Sequence, residues 1–285
     1  MDVKRRLQGL FLVLALCCTF ALPVHADIGP KPAVHVTVQG LEGRDYAVTL
    51  IAPEDALRGP WGSAEWRAYN ADSGPLASWQ ALADYKDPDG WGFWGCWAAG
   101  GAAGQFAWDY YAPERFKILI WLADTDAYLV SGPLERYAYD SYYTAACTPD
   151  GEMQVRRSYG YAKELGGLAG RAALTIAAEL ALALLLGWRG KRELLVLGGV
   201  NLITQLGLNL GLNLTQYTSG WLLAVLTFPL WELGVFLVEA VAFALLLPPV
   251  TATGRKRHPV WFALGANLMT MLLGGWLANW LPWLF

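Results

Sequence analysis

The feature that most constrains this chain is a set of four apolar segments in its C-terminal part. They cover about residues 169–188, 194–215, 220–247 and 259–281. As helices that rise about 1.5 Å per residue, all four are long enough to cross the roughly 30 Å of hydrocarbon in a bilayer. The sequence therefore predicts an all-α, four-helix transmembrane domain over residues 169–285.

The charge distribution separates this domain from the part of the chain that precedes it. Residues 27–170 carry 19 acidic and 11 basic side chains, whereas residues 171–285 carry 4 acidic and 7 basic ones. The first part is polar enough to fold in water, and the second is too apolar and too poor in charge to do so. Neither part has the dense basic composition of a nucleic-acid-binding surface, so we expect no nucleic-acid partner.

The N-terminus has the three parts of a secretory signal peptide. Residues 4–6 are basic, residues 10–22 are apolar, and residues 24–26 read Val-His-Ala, a small-x-small cleavage site. This pattern predicts a signal peptide over residues 1–26 that is removed before Asp27. An uncleaved signal anchor is the alternative.

The basic residues between the apolar segments predict the orientation in the membrane. Loops 189–193 and 251–258 contain basic runs, whereas the loop over residues 215–220 contains no Lys or Arg. Positively charged loops favour the cytoplasmic side, so residues 27–165 and the C-terminus are expected to be extracytoplasmic. The sequence thus predicts a multi-pass protein of the cell membrane, with the lipid bilayer as its first partner.

Tryptophans and one proline add detail to this membrane domain. Pro229 lies inside the third segment, where it removes a helix hydrogen bond and is expected to kink the helix. Tryptophans at the segment ends are typical of the aromatic belt of a membrane protein. They are Trp188, Trp221, Trp261, Trp280 and Trp283.

The exported part, residues 27–165, is predicted to be a mostly β, sandwich-like domain with helical insertions. Residues 34–38 and 46–51 alternate like two strands, and the turn near Gly43 predicts that they form a hairpin. Further strands are predicted over residues 116–122, 127–130 and 136–143. A short amphipathic helix is expected over residues 76–85, and a tight turn over residues 87–90.

Two features of this domain can be interpreted either as a binding site or as ordinary structure. Asp84, Asp87 and Asp89 lie close to the turn, but the regular spacing and distal acid of a calcium loop are missing, so we predict a plain turn and no metal. Eight tryptophans between Trp61 and Trp121 could form a face that binds sugar or peptide. Burial of these rings in the domain core is the alternative that we favour.

Two cysteines remain after the signal peptide, and both lie in the exported part. If Cys96 and Cys147 are oxidised, as is usual outside the cytoplasm, they can pair only with each other. Such a disulfide would add about 2–4 kcal/mol to the free energy of unfolding. Two thiols are the alternative, and with His35 the pair is too small for a zinc site.

Several short sequences resemble an uncharacterised family of multi-pass membrane proteins from Gram-positive, largely clostridial, bacteria. Residues 27–32 (Asp-Ile-Gly-Pro-Lys-Pro) resemble the start of the mature chain in that family. Residues 116–120 (Phe-Lys-Ile-Leu-Ile) and 137–143 (Tyr-Ala-Tyr-Asp-Ser-Tyr-Tyr) extend the similarity, as do residues 201–205 (Asn-Leu-Ile-Thr-Gln) and the helix with Glu232 and Glu239. The resemblance covers most of the mature chain and implies no particular activity.

Polar side chains inside the apolar segments are the main functional signal, because they are costly in hydrocarbon. Counting residues along each segment predicts a mid-membrane layer with Glu179, Gln205 and Glu232, and an inner layer with Asn201, Glu239 and Asn267. Asn209 extends the amide stripe of the second segment, since steps of four residues share a helix face. These carboxyls could be protonated, hydrated or bound to a cation, and the network could serve either helix packing or ion movement.

The sequence favours a non-enzymatic function. No segment contains a histidine, and neither an HExxH motif nor a GxxxxGK[ST] phosphate loop is present, so we expect no catalytic residues and no cofactor. We predict an envelope protein whose exported domain binds a ligand or partner, with other membrane proteins or a second copy as candidate partners. A small cation or proton transporter, or a channel component, that uses the Glu layers is the alternative.

Overall fold

The structure, a computed structural model, describes residues 29–58, 67–100, 104–148, 150–248 and 258–281. From Lys31 onward the described residues belong to one compact unit. This unit contains a β domain followed by four long apolar helices, which confirms the predicted fold class. The predicted signal peptide, residues 1–26, lies outside the described residues.

The described part of the β domain contains nine strands in two sheets. The first sheet has the order β4-β1-β8-β9, and the second has the order β3-β2-β5-β6, with β7 paired to β5. The strands are β1 (Ala33–Gln39), β2 (Tyr46–Ala52), β3 (Gly92–Ala99), β4 (Gln105–Trp108), β5 (Arg115–Leu122), β6 (Ala127–Val130), β7 (Leu134–Glu135), β8 (Asp140–Cys147) and β9 (Met153–Arg157).

The domain has three layers. Alternate residues of both sheets, such as Val36, Leu50, Ile118 and Tyr143, meet in the core between them. Helix α1 (Leu76–Asp84) covers the outer face of the second sheet, where Leu82 packs in a second apolar cluster. β2 is covered on both faces, so all seven of its residues are buried. This agrees with its sequence, since a strand covered on both faces is apolar along its whole length and does not alternate.

The predicted hairpin between residues 34–38 and 46–51 is wrong. β1 pairs with β4 and, in parallel, with β8, whereas β2 pairs with β3 and β5 in the other sheet. The chain crosses between the sheets at Gly40, which has φ +85° and lies so close to β8 that a Cβ would be 2.1 Å from the carbonyl oxygen of Cys147. The short connection therefore joins two layers and not two neighbouring strands.

The other predicted elements of the β domain are found, with one change. Strands β5 and β6 and helix α1 lie where the sequence predicted them. The predicted strand over residues 136–143 is wrong in extent, because β7 ends at Glu135 and β8 begins only at Asp140. Ser141 explains the gap, since its Oγ accepts hydrogen bonds from the amides of Tyr137 and Ala138 and holds this segment as a turn.

The predicted disulfide is also absent from the structure, where Cys96 and Cys147 are both thiols. Cys147 is buried in the core between the sheets, and Cys96 packs against the same core from β3. Burial raises the pKa of the Cys147 thiol to about 11, although Arg44 nearby acts to lower it. A raised pKa keeps the sulphur in its unreactive thiol form at neutral pH.

Four helices follow the β domain, and each is long and apolar enough to cross a membrane. They are α2 (Tyr161–Leu185), α3 (Lys191–Ser219), α4 (Trp221–Leu246) and α5 (Pro259–Ala278). Many of their leucines face outward, and Leu185, Leu195 and Leu245 are 83%, 76% and 78% exposed. Such an apolar exterior is compatible with a protein surrounded by lipid and is rare on water-soluble proteins.

The helix bounds differ from the predicted spans mainly at the start of the first helix. Helix α2 begins at Tyr161, whereas the sequence placed the first span from residue 169. Trp188, predicted for the aromatic belt, is 1% exposed and packs between helices instead, while Trp221, Trp261 and Trp280 are exposed. Trp283 and most of the 251–258 loop lie outside the described residues.

The β domain contacts the bundle at one end, through a cluster of tyrosines. The Tyr139 amide donates to the Tyr217 carbonyl at 2.8 Å, and the ring centroids of Tyr159 and Tyr217 are 5.4 Å apart. Burial raises the pKa values of Tyr137 and Tyr159 to about 12. We call this end of the bundle the near end, and the opposite end, where Trp188 packs, the far end.

Candidate functional site in the helix bundle

Five polar side chains, with at least one from each helix, form a hydrogen-bonded layer toward the far end. Asn201 Nδ2 on α3 donates to Glu179 Oε2 on α2 at 2.5 Å. Thr204 Oγ1, one turn along α3, donates to Glu239 Oε1 on α4 at 2.6 Å. Asn267 Nδ2 on α5 donates to Glu239 Oε2 at 2.5 Å. We call these five residues the far polar layer, and none of them is more than 7% exposed.

The far polar layer contains more acceptors than donors. Glu179 Oε1, Asn201 Oδ1 and Asn267 Oδ1 are buried and have no hydrogen-bond partner within the described part of the chain. Asn267 Nδ2 also donates to the Ala263 carbonyl at 3.0 Å, so its donors are taken. Buried polar atoms without partners are few in native proteins, and three in one layer call for a physical explanation.

Large apolar side chains close the bundle beyond this layer. The Trp188 and Phe262 ring centroids are 6.1 Å apart, and those of Phe243 and Phe262 are 6.0 Å apart. Leu197 and Ala183 belong to the same buried cluster. The far polar layer is therefore separated from the far end by packed hydrocarbon.

A cavity of about 390 Å³ lies between the helices on the near side of the layer. We call it the near pocket. Its polar lining consists of Arg171, Thr175, Gln205, Asn209, Asn213, Gln216, Glu232 and Thr270. Its apolar lining includes Leu208, Leu212, Trp221, Ala224, Val225, Phe228, Met271 and Ala278.

Arg171 and Glu232 give the near pocket one cationic and one anionic side chain. Arg171 Nε donates to Asn209 Oδ1 at 2.7 Å, and Nη2 lies 3.5 Å from Asn213 Oδ1, so two amides hold the guanidinium in place. Glu232 is half-buried in the same lining. Pro229, within α4, cannot donate to the carbonyl of Val225 at the pocket wall.

The structure redistributes the seven residues predicted from the sequence. The sequence predicted that Glu179 lies in one layer with Gln205 and Glu232. In the structure it instead belongs to the far polar layer, with Asn201, Glu239 and Asn267. Gln205, Asn209 and Glu232 line the near pocket, and Asn209 Nδ2 donates to the Gln205 carbonyl at 2.9 Å. The reason is the early start of α2 at Tyr161, which places Glu179 18 residues, or about 27 Å, from the near end of its helix.

Sequence reasoning missed the roles of Arg171 and Thr204. Arg171, Thr175 and Glu179 are spaced by four residues and so share one face of α2, a signal that was available. Thr204 lies three residues after Asn201 on α3, and its hydroxyl also lies 3.1 Å from the Asn201 carbonyl. A threonine hydroxyl in a helix commonly donates to a carbonyl of its own helix, so the donation of the Thr204 proton to Glu239 could not be read from the sequence.

The turn over residues 87–90 is found as predicted, and a lysine holds its carboxylates. The Gly90 amide donates to the Asp87 carbonyl at 3.0 Å. Lys117 Nζ, from the middle of β5, lies 2.8 Å from Asp87 Oδ2 and 2.6 Å from Asp89 Oδ2. Burial acts to lower the pKa of Lys117, but its hydrogen bonds with Asp87 and Asp89 raise that pKa above the ordinary value.

The described tryptophans of the β domain are buried or half-buried. Trp94, Trp97 and Trp108 are at most 6% exposed. Trp79 and Trp91 border a second cavity of about 540 Å³ beside the turn. Trp61 and Trp66 lie outside the described residues, and among those described no three His, Cys, Asp or Glu side chains converge to hold a metal ion.

No protein-family model matches this chain, and no curated protein matches it significantly. The resemblance to clostridial-type membrane proteins stays a prediction.

Proposed function

We propose that this chain is a non-enzymatic, multi-pass protein of the cell membrane that binds an amphiphilic ligand in the near pocket. The composition of the pocket carries the proposal, because a guanidinium and several amides share one cavity with tryptophan, phenylalanine and leucine walls. Its volume of about 390 Å³ is within the usual range for small-molecule sites. A ligand with a polar head and an apolar chain would match both linings.

The orientation that we propose puts the β domain and the near pocket on the extracytoplasmic side. Tyr217 and Gly220, at the connection of α3 and α4, contact the β domain. Arg189 and the first two residues of α3, Lys191 and Arg192, lie at the other end of the bundle. Because basic connections favour the cytoplasm, this arrangement supports an exported β domain above the pocket.

Arg171 supports an anionic head group on the ligand. Its planar guanidinium offers five N–H donors, and such donors bind carboxylate or phosphate oxygens more strongly than neutral donors do. Asn209 and Asn213 fix its position, so little side-chain entropy would be lost on binding. The apolar part would then lie along Leu212 and Phe228.

Photo-crosslinking of the full chain in lipid nanodiscs tests this proposal. With a diazirine-bearing palmitate as probe, we expect labelled peptides from residues 221–232 and 270–278, and competition by excess unlabelled palmitate. Arg171→Gln should lower this labelling about tenfold, as expected for one charged hydrogen-bonding group. Lys163→Gln is the matched control, since it removes an exposed cation from the same helix outside the pocket.

Two outcomes would contradict the proposal. One is labelling confined to outward-facing positions such as Leu195 and Leu245, which would report only the surrounding lipid. The other is equal labelling of Arg171→Gln and Lys163→Gln.

Transport of a cation or proton along the Glu residues is the alternative function. It would require the far end to open, because Trp188, Phe243 and Phe262 pack there. Flux into proteoliposomes would be measured with the chain and with a Glu179→Gln, Glu232→Gln double variant. Flux that is present in the parent and lost in the double variant would favour transport over binding alone.

A further inference from the structure

We propose that the far polar layer binds one monovalent alkali cation, Na⁺, through Glu179 Oε1, Asn201 Oδ1 and Asn267 Oδ1. This site lies deeper in the bundle than the near pocket and shares no residue with it. The proposal therefore does not depend on the ligand-binding function proposed above.

The proposal rests on these three oxygens, because no hydrogen-bond donor among the described residues compensates their burial. Glu179 and Asn201 are at most 1% exposed, and Asn267 is 7% exposed. Within the described residues, no donor reaches these three atoms. A buried acceptor without a donor destabilises the fold, whereas a bound cation would satisfy several such acceptors together.

The hydrogen bonds of the layer keep the three oxygens close to its two carboxyls. The Asn201 Nδ2 that holds Glu179 shares a carbon atom with the unpartnered Asn201 Oδ1. The same is true of Asn267, whose Nδ2 holds Glu239. Thr204 links the Glu179–Asn201 pair to the Glu239–Asn267 pair, since it lies one turn after Asn201 on α3 and donates to Glu239.

The charge of this ligand set matches a monovalent ion. Three of the four carboxylate oxygens in the layer already accept a hydrogen bond, which leaves Glu179 Oε1 as the one available charged ligand. The other two ligands are neutral amide oxygens. Arg171, the cation nearest along α2, is eight residues or about 12 Å away and is bonded to Asn209.

The ligand types select against other metals. All three atoms are oxygens, which suit hard cations, whereas zinc sites draw on nitrogen and sulphur ligands. Mg²⁺ keeps most of its water and Ca²⁺ takes six to eight oxygens, often from several carboxylates. A site with a single available carboxylate oxygen suits neither ion.

Sodium binding to the intact chain in detergent is the decisive measurement. We expect saturable binding of ²²Na⁺ in a scintillation proximity assay, displaced by unlabelled NaCl and not by N-methylglucamine chloride. We also expect NaCl to raise the midpoint of thermal unfolding above that in N-methylglucamine chloride at equal ionic strength, because a ligand that binds only the folded state stabilises it.

Two glutamates on different levels of the bundle provide the matched variants. Glu179→Gln removes the charged ligand and should weaken Na⁺ binding about tenfold or more. Glu232→Gln, which lies in the near pocket, should bind Na⁺ as the parent does. Asn267→Ser, a milder change, should weaken binding as well if Glu179→Gln fails to fold.

Several results would overturn the proposal. Absence of saturable ²²Na⁺ binding in the parent would do so whatever the variants show. An equal loss of Na⁺ binding in Glu179→Gln and Glu232→Gln would also overturn it. Stabilisation by low pH with no added effect of Na⁺ would overturn it too, because the layer would then hold a proton and not a metal ion. Stabilisation by Ca²⁺ or Mg²⁺ without Na⁺ would also contradict it.

Discussion

Lys117 is a buried lysine in the middle of β5 that holds two carboxylates at once. Its side chain and that of Asp87 are 5% and 1% exposed. Lys117→Met should therefore lower the free energy of unfolding by about 3 kcal/mol, because it leaves the Asp87 charge buried without an ion-pair partner. Thermal unfolding of the full chain in detergent, followed by near-UV circular dichroism, measures this loss.

Arg44→Met is the control for Lys117→Met. Arg44 also holds a carboxylate, with Nη2 at 2.7 Å from Asp124 Oδ1, but the two side chains of this pair are 31% and 43% exposed. Exposed ion pairs stabilise proteins little, so the loss should be much smaller than for Lys117→Met. Equal losses would show that burial does not govern the Lys117 contact.

Cys147 gives a prediction about pH. Its pKa of about 11 in the folded chain exceeds that of an unfolded thiol, about 8.5. The folded state thus keeps its proton longer, and the stability that Cys147 contributes is complete below about pH 8.5 and is lost as the pH rises through 11. In a Cys96→Ser background, iodoacetamide should alkylate the native thiol at pH 8 about a hundredfold more slowly than the unfolded one.

The alkylation rate should also rise about tenfold per pH unit up to about pH 11, since the thiolate is the reacting form. Dithiothreitol should leave the unfolding midpoint of the parent unchanged, because the structure has thiols at both positions. A fall of that midpoint on reduction would contradict the thiol assignment.

At this scale the sequence predicted the identity of the site residues better than their partners. Glu179, Glu239, Asn201 and Asn267 stand out because polar side chains are rare in apolar helices. Their pairing depends on where each helix begins, and α2 begins eight residues before the predicted span. This start could not be predicted from apolar composition, because Tyr161 and the following turns are helical without being strongly apolar.

Gly40 is the residue on which the crossing between the two sheets depends. Gly40→Ala would place a Cβ 2.1 Å from the Cys147 carbonyl oxygen, so we expect a loss of about 3 kcal/mol or more in stability. Gly43→Ala is the matched control, since Gly43 also has a positive φ, +79°, with nothing within 4 Å of an added Cβ. Chemical denaturation of both variants should show only the smaller cost of the left-handed backbone in Gly43→Ala.

This crossing also explains why strand positions were predictable and strand partners were not. The alternation of β1 is visible in the sequence, yet its neighbours are β4 and β8, far along the chain. A short connection between two strands usually makes a hairpin, and the wrong prediction of a hairpin between β1 and β2 came from this local rule. The actual partner of β1 in parallel pairing is β8, which lies about a hundred residues further along the chain.

Two glycines one turn apart on α3 test how closely the helices pack. A Cβ at Gly211 would lie 2.5 Å from ring atoms of Trp231 on α4, whereas one at Gly207 would meet nothing within 4 Å. Gly211→Ala should lower stability by about 1–2 kcal/mol through overpacking. Gly207→Ala should instead raise it by up to about 1 kcal/mol, because alanine favours helices; equal effects in thermal unfolding would exclude this packing difference.

For the whole molecule, the junction between the β domain and the bundle rests on a close backbone approach. Gly220 has φ +88°, and a Cβ there would lie 2.6 Å from the Tyr139 ring. Gly220→Ala should therefore separate the two parts locally and break the bond from the Tyr139 amide to the Tyr217 carbonyl. Hydrogen exchange of peptides that contain residue 139 should become faster.

Gly151→Ala controls for the backbone cost of this substitution. Gly151 has a similar φ, +85°, but an added Cβ would meet nothing within 4 Å, and it lies between β8 and β9. Exchange at Tyr139 should stay at the parent rate in this variant. Faster exchange in both variants would mean that the junction responds to general destabilisation.

The parallel pairing of β1 with β8 sets the order of events while the chain is made. Ala33 pairs with Asp140, so the first strand has to wait for a partner that is translated more than a hundred residues later. At about 5–20 residues per second, this delay is roughly 5–20 s. Because β8 ends at Cys147 and α2 begins at Tyr161, the first sheet can close only when synthesis has nearly reached the first long apolar helix.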